Sequence, residues 1–177
     1  MQATPKLQAT RFAQLKAGEL FIYEMGRTRH VALAVRNSAQ DEMLVLPLGP
    51  TLPAFMTYPT LFNDPGMTVV SFGKDFALRW PVAPDAWTSE APTPEVTAMA
   101  LNKDGAFLRC NFSPRPADFQ ACFIDLATGQ VVVNQPGHAA RFVKPPGILA
   151  YATSWSFTTF EDPRRVILDI TPLPREA

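Results

Sequence analysis

Eighteen prolines against nine glycines in 177 residues set the first limit on how this chain folds. Proline lacks a backbone N–H and holds φ near one value, so it breaks helices and is tolerated mainly in turns and at strand edges. Spread along the chain at this density, it leaves little room for long helices. Pro65-Gly66, Pro136-Gly137 and Pro146-Gly147 combine a fixed φ with a residue free to take positive φ, the chemistry of a type II turn. The segments between such turns read as strands.

Val31, Leu33 and Val35 alternate with His30, Ala32, Ala34 and Arg36, the period-two signal of a strand with one buried face. The basic and small residues are expected to face outward. Met43 to Leu48 is nearly all apolar, as in a strand buried on both faces. Thr68 to Phe72, Phe76 to Trp80 and Arg165 to Ile170 form shorter strands, and Ile148 to Phe160 a longer one. Cys122 to Leu126 and Gln130 to Asn134 flank Ala127-Thr128-Gly129, a hairpin with glycine placed for a left-handed conformation.

Two short helices are predicted. Thr93-Pro94-Glu95 offers an N-cap, a proline at the first helical position and an acid in the first turn, followed by Val96, Met99 and Ala100 at helical spacing and an end near Asn102 to Gly105. The second runs from Pro5 to Leu15, with Gly18 beyond its end. Residues 81–94 hold four prolines with Asp85, Ser89 and Glu90 and read as a connector. It separates an N-terminal β subdomain, 1–80, from a C-terminal one, 95–177, which can also pack as one domain. Lys74 to Arg79 echoes Lys103 to Arg109, but the strands around them differ in order, so we read the echo as chance.

Hydrophobic residues at 47% and charged residues at 18% describe a chain that buries a core and folds without a disulfide scaffold. Sixteen basic residues balance sixteen acidic ones, so no net field draws the chain to nucleic acid or to anionic lipid. Met1 to Lys6 lacks an export leader, and no apolar run approaches the ~20 residues that span a bilayer. A soluble cytoplasmic protein with no membrane partner is expected. Cys110 and Cys122 then read as buried thiols that meet only if they lie across a hairpin.

Phosphate-binding loops, nucleophile elbows and zinc-ligand spacings are missing from the sequence. His30 and His138 are far apart, so no metal and no cofactor are expected. The candidate anion or ligand site is Arg27, Arg29 and His30 at a hairpin end, with Arg36 farther along the same strand. These cations can hold a phosphate or carboxylate; charge on an exposed connection also serves solubility alone. Tyr23 and Glu24 immediately precede them. A second candidate is an aromatic pocket of Tyr151, Trp155 and Phe157, which share one face of the long strand. Core packing is the competing role for those rings. Trp80 and Trp87 bracket the start of the connector and are expected to pin it. His138 and Arg141 beside the Pro136-Gly137 turn are a further pair without a defining spacing.

Gly18-Glu19-Leu20-Phe21-Ile22, Arg29-His30-Val31-Ala32-Leu33-Ala34-Val35 and Leu44-Val45-Leu46-Pro47-Leu48 together resemble the opening of PemK/MazF-type toxin proteins. The similarity covers about the first quarter of the chain. It implies an SH3-like barrel, RNA cleavage as the activity, and Arg29 in the place of the family's active arginine. His30 stands where that pattern has proline, and Gly49 where it has threonine, with Thr51 nearby.

The fold expected is all-β: a barrel or sandwich of short antiparallel strands, as one unit or two small subdomains, with one or two short helices. The leading function is a non-enzymatic binding or assembly module, with an unidentified protein partner or self-association through an exposed edge strand. An enzyme acting on RNA or another phosphate-containing substrate through Arg27, Arg29 and His30 is the alternative. A binder of small molecules in an apolar barrel pocket is the third.

Overall fold

The computed structural model describes residues 7–25, 27–38, 41–49, 55–56, 67–74, 76–79, 83–92, 97–112, 120–133, 141–159 and 166–170. Strands dominate these residues, and no helix among them is long and apolar enough to cross a membrane. Trp80, His138, Thr51, the Pro65-Gly66 and Pro136-Gly137 turns and the Thr93-Pro94-Glu95 cap lie outside the described residues. The Pro146-Gly147 turn lies within them, with Gly147 at φ 65°.

The first half supplies β1 (Gln8–Arg11), β2 (Leu20–Met25), β3 (Thr28–Asn37), β4 (Glu42–Leu48), β5 (Phe55–Met56), β6 (Thr68–Gly73) and β7 (Phe76–Arg79). The second supplies β8 (Ala98–Leu101), β9 (Ala106–Phe112), β10 (Gln120–Asp125), β11 (Gln130–Val131), β12 (Ala150–Ala152), β13 (Trp155–Thr159) and β14 (Val166–Ile170). One large sheet runs β1-β6-β2-β3-β11-β10-β9-β8-β12, with β4 also paired to β3 and β5 to β9; a small sheet runs β14-β13-β7. Among the described residues neither sheet closes on itself, so the barrel alternative gives way to two open sheets. Most pairs are antiparallel, but β11 joins β3, and β5 joins β9, in parallel.

Both halves contribute to each sheet. One link between them in the large sheet, β11 against β3, rests on two glycines. Gly18 donates its N–H to the carbonyl of Ala34 at 2.8 Å, after which the chain enters β2; the next place along β3 is taken by Gly129, whose carbonyl accepts from the N–H of Arg36 at 2.9 Å. Gly129 closes the predicted hairpin between β10 and β11 at φ 71°.

The main core lies between the sheets. Leu20, Leu33, Val35, Leu44, Leu46, Leu108 and Ile124 from the large sheet meet Trp155 and Phe157 of β13, with Phe76, Leu78 and Leu168 packed against them. Burying each such side chain contributes roughly 1.5–3 kcal/mol. The opposite face of β2–β3–β4 is also covered. Ala32, Ala34 and Val45 pack with Phe12, Leu15, Phe21 and Val69. The expected outward face of β3 is therefore buried at Ala32 and Ala34: these small alanines leave room for Phe12 and Phe21, which meet edge to face at 5.8 Å.

Both predicted helices are replaced. Residues 98–101, expected to be helical, form β8 between β9 and β12. Ala98, Met99 and Ala100 are all fully buried there, so pairing on both flanks and burial on both faces override the helical spacing. The segment expected as a helix ending at Leu15 is β1 followed by a single 3-10 turn, Phe12–Gln14. The long strand predicted from Ile148 to Phe160 also divides. β12 stays in the large sheet beside β8, the chain bends at Thr153–Ser154, and β13 enters the small sheet.

Candidate functional site at the end of the first hairpin

β2 and β3 pair in the register Ile22↔Val31, Tyr23↔His30, Glu24↔Arg29 and Met25↔Thr28, so the connection is the two residues 26 and 27. Arg27 sits exposed at the tip.

Successive side chains of a strand point to opposite faces, and this separates the predicted cations. Arg29 lies on the face of the main core, opposite Glu24; Nε of Arg29 is 4.0 Å from Oε2 of Glu24, with both side chains well exposed. Such a pair is screened by water and holds neither group firmly. His30 lies on the reverse face, its ring stacked on Tyr23 at 5.2 Å between centroids and 27° between planes. Tyr23 is buried, and burial raises its phenol pKa by disfavouring the phenolate. Arg36 is at the far end of β3, roughly 23 Å from Arg29 at ~3.3 Å per residue, where it pairs with the carboxylate of Asp41 across the β3–β4 turn. Thus Arg27 and Arg29 share the hairpin end, while His30 and Arg36 do not join them on one surface.

Arg29 and Glu24 border a groove of about 350 Å³ whose lining includes Leu7, Ile22, Thr68 and Val70. Its construction follows from strand register. Ile22 is opposite Val70 and Arg11 is opposite Thr68; continuing the β2–β6 register places Thr68 beside Glu24. Arg11, Thr68, Glu24 and Arg29 therefore form one row across four neighbouring strands on one face. The next row inward, Ala9, Val70, Ile22 and Val31, is apolar and incompletely covered. The groove forms where the sheet runs past the end of its core. Beside it, β1 is the terminal strand of the large sheet, paired with β6 alone among the described residues.

Leu7, Ile22, Thr68 and Val70 were invisible as site residues in the sequence. Their only signal is Leu7, a large apolar side chain left 51% exposed, and exposure is a property of the fold. The three aromatic residues take the packing role that competed with a pocket. Trp155 and Phe157 are 2% and 0% exposed within the main core, in edge-to-face contact at 5.2 Å. Tyr151 belongs to a different cluster with Ala100 and Phe123. The three rings are packed by their neighbours in two separate clusters. Trp87, half-buried, packs against the main core directly after the 3-10 turn Pro84–Ala86, and so pins the connector.

Among the described residues, no group of three or more His, Cys, Asp and Glu side chains is placed to hold a metal ion. No protein family, curated protein or solved structure matches this chain.

Proposed function

We propose that this chain is a binding and assembly module that works through the groove at the β2–β3 hairpin end and the open flank of β1, with a second copy of itself as the partner. One observation carries this reading: an apolar groove rimmed by Arg29 and Glu24 opens beside a terminal strand. Such an edge offers backbone hydrogen bonds, and a neighbouring groove supplies specificity.

The direction of the open hydrogen bonds can be read from the register. The N–H of Phe12 donates to the carbonyl of Met67 at 2.9 Å, a directly opposed pair in the β1–β6 register. In an antiparallel ladder such bonded pairs alternate, so Gln8 and Thr10 face β6 while Ala9 and Arg11 turn their backbone groups away from it, the N–H of Arg11 donating to Oε1 of Gln14 at 3.4 Å. Antiparallel pairing of two copies centred on Thr10 then sets Thr10 against Thr10 and Arg11 against Ala9. Hydroxyls meet hydroxyls, and no like charges stand opposite one another.

Native mass spectrometry and light scattering over a concentration series test this reading. A dimer is expected, and Ala9→Pro should abolish it by removing an outward N–H while sparing the ladder to β6. A wild-type chain that stays monomeric throughout overturns the proposal.

A second reading, action on RNA or another phosphate-containing substrate, draws on the position of Arg29 at the groove rim. Its resemblance to the PemK/MazF active arginine adds to that reading. Against it, His30 faces away from Arg29, so proton transfer and charge stabilisation have no common focus. Incubation with a single-stranded RNA oligonucleotide decides: cleavage lost in Arg29→Ala supports the enzyme, and intact RNA removes it.

A further inference from the structure

Cys110 on β9 and Cys122 on β10 are direct register partners. The N–H of Leu126 donates to the carbonyl of Ala106 at 3.2 Å, and these two residues continue the same register. Counting back by twos along the alternating ladder makes Cys110 and Cys122 a bonded pair. Cα atoms in such a pair lie about 5.5 Å apart, inside the ~4.4–6.8 Å that a disulfide spans. Directly opposed residues project to the same face, and both thiols are fully buried in the main core.

From this placement we infer that Cys110 and Cys122 form a reversible dithiol–disulfide pair, closed by a peroxide-class oxidant. In the first step a thiolate attacks one peroxide oxygen, the O–O bond breaks, and the sulfur becomes a sulfenic acid with release of one water. The second thiolate then attacks that sulfur; the S–S bond forms and the hydroxyl departs as a second water. Two electrons and two protons pass from the thiols to the peroxide, so the step balances without any further reactant. Burial disfavours the Cys110 thiolate and shields both sulfurs. Closure therefore proceeds through local opening of β9–β10, and its rate reports that opening. Once formed, the bond fastens two strands that stand in the middle of the large sheet.

Hydrogen peroxide added to the native full-length protein tests the pair. Intact mass should fall by two hydrogens, both thiols should become resistant to alkylation, and a peptide linking Cys110 to Cys122 should appear. Dithiothreitol should reverse all three, and the oxidised form should melt several degrees higher, as a cross-link that restricts the unfolded chain predicts. The single variants Cys110→Ala and Cys122→Ser should show no two-hydrogen loss; either one, if folded, is a sufficient control. The inference is overturned if both thiols stay free in native protein while urea-unfolded protein cross-links. Sulfinic acid on one cysteine, or a disulfide between two chains, overturns it equally.

Discussion

A Cβ built on Gly129 would lie 2.1 Å from the backbone nitrogen of Gly18 and 2.4 Å from its Cα. These two glycines bring the chain of the first half against that of the second where β3 passes from β2 to β11. The contact is backbone on backbone, so no side-chain rearrangement relieves it.

Gly129→Ala is therefore expected to destabilise the protein by about 3 kcal/mol or more, combining a positive-φ cost of roughly 1–2 kcal/mol with an overpacking cost of similar size. Gly73 is the control, since its φ is 63° but no atom of the described residues lies within 4 Å of its missing Cβ. Gly73→Ala should cost only about 1–2 kcal/mol. Urea unfolding of the two variants side by side separates the close approach from the backbone strain; equal losses would show that the contact yields.

At the groove, Ile22→Asp places a charge beside Leu7 and Val70, where an apolar partner surface would be seated. Self-association should be lost, while the melting temperature changes little because Ile22 is only half-buried. Arg36→Ala, at the far end of β3, should leave association unchanged. A variant that unfolds instead of dissociating would place Ile22 in the core rather than at an interface.

The hydroxyl of Tyr151 is buried and has no hydrogen-bond partner among the described residues, while the ammonium of Lys144 sits 5.7 Å from the centre of its ring. An unsatisfied buried hydroxyl costs roughly 1–3 kcal/mol. Tyr151→Phe keeps the ring and the cation contact and should raise stability by about 1 kcal/mol, measured by urea denaturation. A loss of stability would mean that the hydroxyl is bonded in solution.

Burial raises the pKa of both the Cys110 thiol and the Tyr23 phenol. Each is neutral when protonated, so between its unfolded and folded values the native state holds more protons than the unfolded one. Their contribution to stability is complete below the unfolded values and is lost as pH rises through the folded ones. Stability should accordingly begin to fall as pH passes the ordinary thiol value of 9.0 and fall further beyond the phenol value of 10.0. Tyr23→Phe should flatten the second part of that loss in a pH series of melting curves.

Local patterning made much of the strand content legible. Alternation marked β3, a continuous apolar run marked β4, and Gly129 marked the β10–β11 turn, because period and turn chemistry are properties of neighbouring residues. Helical spacing misled at Met99, where ladder partners on both flanks outweighed a weak intrinsic preference. Apolar spacing also misled at Tyr151, since a bend at Thr153–Ser154 sends it and Trp155 to different sheets. The cations Arg27 and Arg29 were found at the hairpin end from sequence. Their groove was not, because Leu7, Thr68 and Val70 reach it only through the pairing of β1, β6 and β2.

The sequence alone determined that this chain would be built of short strands: proline density forbids long helices, and side-chain period is written residue by residue. Only the tertiary structure decided which strands meet, that both faces of β3 are buried at its centre, and that Cys110 stands opposite Cys122. Pairing between distant segments depends on the summed fit of many side chains, which no local spacing records.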